Sequence, residues 1–524
     1  MEYDYAVIGS GFGGGVSALR LSEKGFKVAV IEQGGWVTPE DIEEADTSVN
    51  HLNWLPSLGL SGYFMQSFYR HVTIVGGAAV GGGSIVYAAV LLKPKDEFYT
   101  DPSWSNLGVD WKSELAPHYE TASNMLGVAD NPYQDVQDTY LKDTAENMGA
   151  GNTFGPTPNG IYFGTPEVMK PDPYFNGEGP SRAGCHLCGR CLTGCPHGSK
   201  NTLDLNYLYL AERLGADILP HRKVTDIIPK RDGGYELTLR HPIKMLRTYP
   251  KLSAKKVIVA AGVLGTLELL FRCRDITGSL SNISPCLGKV VRTNSEAVVG
   301  VLSKDSKTDL TKGTAISSHF YPDDHTHVTQ NRFPKGYTFM KWLTGPMVDD
   351  DRPLIRALKT MGKMVANPAR MFRLWFGKNW HKRVTIMTVM QHLDNRIEFT
   401  YGRRPSCLFR RGLKSVSVPG KSAPTNLPVA NKAAEVMAAT SNGDPLNVIT
   451  ESLGNISTTA HILGGCIMGA SLETGVIDTN HEVFGYPGLY VVNGASVSAN
   501  IGANPSLTIA AMAERAMSLI PPQK

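Results

Sequence analysis

Two clusters in this chain have residue types and spacings that suit chemistry. The first lies at the start. The apolar run Tyr5-Ala6-Val7-Ile8 leads into Gly9-Ser10-Gly11-Phe12-Gly13-Gly14, a G-x-G-x-x-G pattern, and then into an apolar helical pattern. A second apolar run, Val28-Ala29-Val30-Ile31, ends on Glu32, eighteen residues after Gly14. Strand, glycine turn, helix, strand and acid in this order predict a dinucleotide site. Gly9 permits the tight turn, Gly11 lets the backbone approach a pyrophosphate, and Gly14 lets the helix pack on the strand. Glu32 is placed to accept from a ribose hydroxyl. The pattern alone leaves the nucleotide open between NAD and FAD. The second cluster is Cys185-x2-Cys188-x2-Cys191-x3-Cys195-Pro196, four of the eight cysteines. Thiolates so closely spaced on a looped backbone match the iron–sulfur run of bacterial ferredoxins, where the fourth cysteine can serve a second cluster. Spacing therefore leaves open a four-iron or three-iron cluster (4Fe–4S or 3Fe–4S), and it leaves open which cysteines bind. Four-cysteine zinc sites usually come as separated pairs, and four free thiols are the plain alternative. Cys273, Cys286, Cys407 and Cys466 are scattered, with no disulfide framework in view.

The elements that must position these residues can be sketched. A second glycine run over residues 75–88 holds Gly76, Gly77, Gly81, Gly82, Gly83 and Ser84 and no charge. Glycines this dense let a backbone lie against a flat ligand. Helices are expected over 112–126, 135–148 and 200–214, and strands over 216–219, 223–228 and 235–239. The strand over 255–260 ends in Ala261-Gly262 before a helix pattern at 264–271, a second strand–glycine–helix unit. Residues 50–70 and 151–180 read as loops. Alternating runs at 296–301 and 384–390 predict antiparallel strands. Between them 354–376 reads as a basic amphipathic helical stretch interrupted by Pro368. The chain returns to a strand at 489–492, and Asn504-Pro505 opens a helix over 508–519. Nucleotide-type elements thus stand at the start, middle and end. The expected class is α/β (α+β overall). A discontinuous Rossmann-like domain would come from 1–100, 185–285 and 456–524, and an antiparallel-sheet substrate domain from 101–184 and 286–455.

Composition sets outer limits. The chain has 524 residues, 42% hydrophobic and 19% charged, as expected of a globular protein of more than one core. No apolar run of about eighteen residues predicts a transmembrane helix. Met1-Glu2-Tyr3-Asp4 passes straight into a strand without a secretory or twin-arginine pattern, so a cytoplasmic location is expected. The net charge of +4 is uneven: residues 352–421 hold sixteen Lys and Arg against Asp394 and Glu398. Such a block attracts anionic lipid, an acidic partner or an anionic substrate, or is a solvated basic face. Met364, Met371, Phe372, Leu374, Trp375 and Phe376 are interleaved with its charges, which points to a lid or a peripheral membrane contact. No nucleic-acid partner is expected.

Four separated blocks resemble the glucose–methanol–choline (GMC) flavoprotein oxidoreductases, and within them the cholesterol-oxidase branch. The blocks are the opening motif with Glu32, the run Gly76 to Ala88 with Leu92-Lys93-Pro94, the segment Gly194 to Thr202, and the long tail from Ala460 to Thr508. The resemblance implies the GMC fold with FAD as cofactor. Gly77, Gly82, Gly83 and Ser84 would line the flavin, Val224 would lie near the adenine, and Asn493-Gly494 near the ribityl and pyrophosphate. The family usually has Asp where Asn493 stands. It also places His461 and Asn504 at the flavin edge, where alcohol oxidation needs a proton acceptor and a hydride acceptor. A glutamate near the substrate is implied too; no motif places it, and Glu398 is one candidate. His319 and His392 are candidates for the substrate cavity. The implied reaction is oxidation of a secondary alcohol on a hydrophobic molecule, most simply a 3β-hydroxysteroid. A rival is a dehydrogenase of a sugar, polyol or terpenoid alcohol passing electrons through an iron–sulfur cluster to an acceptor protein. A non-catalytic flavin electron-transfer protein is another.

Overall fold

The opening strand Glu2–Ile8 lies inside a seven-stranded sheet, because Tyr5 to Ile8 are apolar on both faces and fully covered. In the computed structural model, which describes residues 2–244, 246–403 and 411–523, it pairs in parallel with Val28–Ile31 on one side and Leu252–Val259 on the other. Asp217–Leu219 extends the sheet beyond Val28–Ile31. The far edge of Leu252–Val259 is shared. Its first half takes the antiparallel strand Tyr235–Arg240, followed by Lys223–Pro229, and its second half takes the parallel strand Leu489–Val491. Strands from the start, middle and end of the chain therefore converge on one line.

The second large sheet is antiparallel throughout. Its order is Thr344–Pro346, Gly443–Val448, Ala297–Ser303, Val384–Gln391, Thr326–Asn331, Ser318–Phe320 and Gly155–Pro156. Helix Val136–Asn147 packs on it through Leu141 and Ala145, and the buried pair Arg332–Asp138 at 2.9 Å pins that helix to the sheet. Helix Trp111–Met125 instead packs on the C-terminal helix Ser506–Ser518, where Tyr119 Oη donates to Thr508 Oγ1. No helix among the described residues is long and apolar enough to cross a membrane.

Several local expectations change, among them the loop expected over 151–180, where Gly155–Pro156 joins the second sheet and Pro158–Gly160 pairs with Val128–Asp130. Residues 50–70 are not a loop: Asn53–Leu55, Leu60–Ser61 and Phe64–Phe68 join Val72–Gly77 in a five-stranded sheet. The helix expected over 200–214 begins only at Tyr207, under an Asn206 cap. Lys200 and Asn201 are held extended by pairing with Ile161 and Gly160. Asn504 does not cap the last helix. Pro505 occupies the cap position, and the Asn504 side chain points elsewhere. The break at Pro368 is as expected: helices Pro353–Ala366 and Pro368–Phe376 meet there, and Asn367 caps the second. Cys407, with Arg404 and Arg410 of the basic block, lies outside the described residues.

Candidate active site

The opening glycine turn is shaped by backbone contacts. Gly9 has φ +100°, and a side chain there would meet Ala260 O at 2.4 Å. A Cβ at Gly14 would meet Gly9 O at 1.9 Å, so the helix can sit on the turn only without one. Gly11 is different: no protein atom lies within 4 Å of where its side chain would begin. Helix Phe12–Glu23 starts there with no side-chain cap and no acid in its first turn, leaving its N-terminus free for an anion. Glu32 is buried beneath the turn. It accepts from Ser10 N and Ser10 Oγ at Oε2 and from Gly34 N at Oε1. Burial raises its pKa against the lowering effect of these bonds.

The second glycine run closes on the first. A Cβ at Gly82 (φ +55°) would come within 2.7 Å of Gly11 Cα, so the two backbones touch. One at Gly77 would meet Gly82 O at 2.7 Å, while Gly83 faces open space like Gly11. Ser84 is fully buried, donating to Gly81 O and accepting from Leu203 N. Asn493 anchors the third side. Its Nδ2 donates to Val259 O and Thr266 Oγ1, and its Oδ1 accepts from Ala495 N. An amide suits this place because a donor faces the Val259 carbonyl. Gly494 leaves room for the Ile462–Leu463 segment, with Ile462 O 3.5 Å from where its Cβ would stand. Val224 is buried on the antiparallel edge of the sheet, opposite Leu239.

His461 reaches this place at the end of a strand. Ser457–Thr459 runs parallel to Val72–Gly77, with Thr459 level with Ile74, so His461 and the second glycine run emerge side by side. His461 Nε2 lies 3.3 Å from Asn504 Nδ2, and its Nδ1 lies 3.1 Å from Glu296 Oε2. The Nδ1 contact is close but poorly aligned, since Nδ1 completes no directed hydrogen bond. Catalytic hydrogen bonds often align only with ligand present. Glu296 Oε2 also accepts from Thr459 Oγ1 (2.8 Å) and Ala460 N (2.9 Å), and the residue is 3% exposed. Behind it, burial first and then the nearby Glu296 push Glu451 well above the usual carboxyl range, favouring its neutral form. Asn504 Oδ1 is buried without a partner. The structure thus brings together His461 and Asn504 and adds Glu296, which no motif marked. Glu398 sits on strand Ile397–Arg403 opposite Val416 and makes no hydrogen bond or ion pair to His461 or Asn504.

A cleft of about 240 Å³ adjoins Asn504 through Gly502 and Ala503. His392 lines it and bonds His325 at 2.9 Å. His319 stands behind the wall, bonded at 2.8 Å to His327, which also lines the cleft. Burial holds both members of that second pair below the ordinary histidine range, His319 at about 4.

The four clustered cysteines line a single cavity of about 310 Å³. Burial pushes the Cys185 thiol up and Cys191 to about 11, and holds the Lys200 ammonium down to about 8. Among the described residues no three His, Cys, Asp or Glu side chains converge tightly enough to hold one metal ion.

Comparison with known proteins fits this arrangement. GMC oxidoreductase family models match residues 180–273 and 340–513, and an FAD binding domain model matches 4–38. Across 99% of its length the chain is 43% identical to a cholesterol oxidase of Acinetobacter baumannii, of which it covers 94%. The chain belongs to the GMC oxidoreductase family. A cholesterol oxidase of Mycobacterium tuberculosis shows the same 43% identity over 99% of this chain and 91% of its own length. Among solved structures, pyridoxine 4-oxidase from Mesorbium loti has a TM-score of 0.62 over 98% of both chains at 14% identity, a likeness of fold. This GMC protein is an FAD-dependent alcohol oxidoreductase of mixed α/β fold. FAD fits what the chain presents: an uncapped helix N-terminus, open space over Gly11 and Gly83, and an unpartnered buried Oδ1 on Asn504.

Proposed function

We propose that this GMC oxidoreductase oxidises the secondary hydroxyl of a 3β-hydroxysteroid to a ketone. The observation that carries the reading is the His461–Asn504–Glu296 group at the mouth of the two glycine runs, in a chain 43% identical to cholesterol oxidases. In this reading Gly9, Gly11, Gly14 and Glu32 hold the ADP end of FAD, with Val224 near its adenine. Gly77, Gly82, Gly83, Ser84, Asn493 and Gly494 hold the rest. Bound there, FAD supplies the hydride acceptor. Asn504 Nδ2 and His461 Nε2 orient the substrate hydroxyl, and His461 takes its proton. Glu296, at Nδ1, fixes the ring's orientation and tautomer. Anaerobic mixing with 3β-hydroxysteroids, sugars, polyols and terpenoid alcohols tests the reading. Rapid bleaching of the flavin bands by sterol is expected. Bleaching by a sugar or terpenoid alone would overturn it, and bleaching by no alcohol would favour an electron-transfer flavoprotein.

Helix Pro353–Ala366 supports a membrane-surface contact for such a substrate. It is inverted: Arg356 and Thr360 are buried, while Leu354, Leu358 and Val365 are 82%, 65% and 81% exposed. Phe372 and Phe376 of the next helix are stacked and exposed, with Trp342 against Phe376. An apolar face rimmed by Lys359, Lys363 and Arg370 suits an anionic lipid surface. Its neutralisation is partial, since Asp350 pairs with Arg352 and Lys359, and Asp444 with Arg370 and Arg373. The reading places the enzyme in the cytoplasm, at the membrane face. A second reading concerns the electrons alone. The thiol cavity favours their passage to an acceptor protein over direct transfer to oxygen.

A further inference from the structure

The loop around the four cysteines is folded about something the alcohol chemistry does not use. Leu187, Gly189 and Gly194 take positive φ (54°, 68° and 120°), and these reversals wrap the chain around one cavity. A side chain at Gly189 would strike Thr311 O at 2.4 Å, so the wrap is enforced from outside as well. All four cysteines line the cavity together. Leu187 N donates to Cys185 Sγ at 3.4 Å and Ala315 N to Cys191 Sγ at 3.5 Å, bonds that stabilise sulfur carrying negative charge.

The charge around the cavity is unbalanced. Lys200 lines it and is 1% exposed, with Nζ on three backbone carbonyls: Ile85 (2.7 Å), Tyr87 (3.2 Å) and Cys191 (2.7 Å). Arg182, equally buried, bonds the carbonyls of Gly198, Leu205 and Lys200 and the Asn201 side chain. Neither forms a direct ion pair among the described residues, and both are attracted to the one buried carboxyl of Asp204. Two buried cations sharing one carboxyl leave positive charge uncompensated, which is costly. Four neutral thiols supply no counter-charge. An iron–sulfur cube with thiolate ligands carries net negative charge and fills such a space.

We infer that Cys185, Cys188, Cys191 and Cys195 together hold one iron–sulfur cube, with Lys200 and Arg182 as its buried counter-cations. All four line one cavity, so the fourth cysteine is placed to serve the same cluster as the other three. Lys200 also ties the site to the flavin side. The same ammonium bonds the Cys191 carbonyl in the cysteine loop and the Ile85 and Tyr87 carbonyls in the second glycine run. The inference extends the acceptor-protein reading above and does not depend on which alcohol is oxidised.

The test uses full-length protein purified without oxygen. About four iron and four acid-labile sulfide per chain are expected, with a broad absorption beyond the flavin bands that fades on dithionite reduction. Cys188→Ser is expected to lose the iron and this absorption while keeping its FAD. Where that variant does not fold, wild-type protein incubated anaerobically with ferrous iron and sulfide decides alone. Full FAD with neither iron nor sulfide after that treatment overturns the inference, as does one zinc per chain. These measurements need no alcohol, so a wrong substrate leaves them untouched. An acceptor reading that fails alone would show a cluster whose reduced enzyme passes electrons only to oxygen.

Discussion

Replacing Glu296 by Gln removes a charge and little else. Glu296 Oε2 accepts from Thr459 Oγ1 and Ala460 N and lies 3.1 Å from His461 Nδ1. A Gln oxygen in the same place keeps the first two bonds, so the fold and FAD content should survive. What is lost is the charge assistance to His461 as it takes up a proton. Hydrogen bonds to charged groups contribute about 1.5–3 kcal/mol against about 0.5–1.5 for neutral ones, a difference of about 1–1.5 kcal/mol. At about 1.4 kcal/mol per decade that is a roughly tenfold slower step. Anaerobic stopped-flow of flavin reduction by the alcohol should show it, with KM within about threefold because no substrate contact is removed. Glu451→Gln is the control. Burial already favours the neutral acid at Glu451, so an amide of the same shape should change the rate less than about twofold. Equal losses in the two variants would refute the reasoning, as would an unchanged rate in Glu296→Gln.

Other expectations follow from the same geometry. Gly11→Ala meets no protein atom within 4 Å and should leave the apoprotein as stable as wild type while weakening FAD binding; Gly82→Ala, 2.7 Å from Gly11 Cα at φ +55°, should purify largely without flavin. The flavin-to-protein absorbance ratio and a melting curve check both. His481 is fully buried, and burial holds it at about 4, below its unfolded value near 6.5. The unfolded chain therefore binds this proton first. Stability should fall by on the order of 3 kcal/mol between pH 6.5 and 4, with no His481 contribution above that range. Urea midpoints at pH 7 and 4.5 should converge between wild type and His481→Asn, and parallel shifts would count against this. Leu354→Glu with Leu358→Glu should weaken co-sedimentation with anionic vesicles at least tenfold, each change removing up to about 2 kcal/mol of apolar burial. Unchanged sedimentation would remove the membrane contact.

Much of the nucleotide-binding sheet was legible because its strands are buried on both faces and read as unbroken apolar runs. Val28–Ile31 and the last three residues of Leu252–Val259 announce themselves in this way. The sheet built from Asn53–Leu55 and Phe64–Phe68 did not. Its strands are two to six residues long and only half covered, so their aromatic and polar residues resemble a loop. The late helix start at Tyr207 was hidden for a different reason. Asn201 and Thr202 are weak helix formers, but what holds Lys200 and Asn201 extended is the distant Gly160–Ile161 segment, which no local pattern shows.

The same contrast governs the site. Glycine turns and the cysteine run carry their meaning in local spacing, since backbone shape and thiol proximity are properties of a short stretch. Glu296 carries none. It precedes the alternating strand Ala297–Ser303 as any polar residue would, and it becomes a partner for His461 only where Ser457–Thr459 packs beside it. Lys200 lies between these cases. Its neighbours are marked by the cysteine run, yet its role comes from carbonyls more than a hundred positions earlier. A charge buried on carbonyls is stable only if something negative stands close, and Asp204 must serve Arg182 as well as Lys200. That makes Lys200 the most discriminating residue between a metallated and an empty thiol cavity. Lys200→Met should raise the stability of a protein whose cavity is empty, because it removes a buried charge that Asp204, shared with Arg182, offsets only in part. It should lower the stability of one that holds a cluster, because it strips the cluster of a counter-ion.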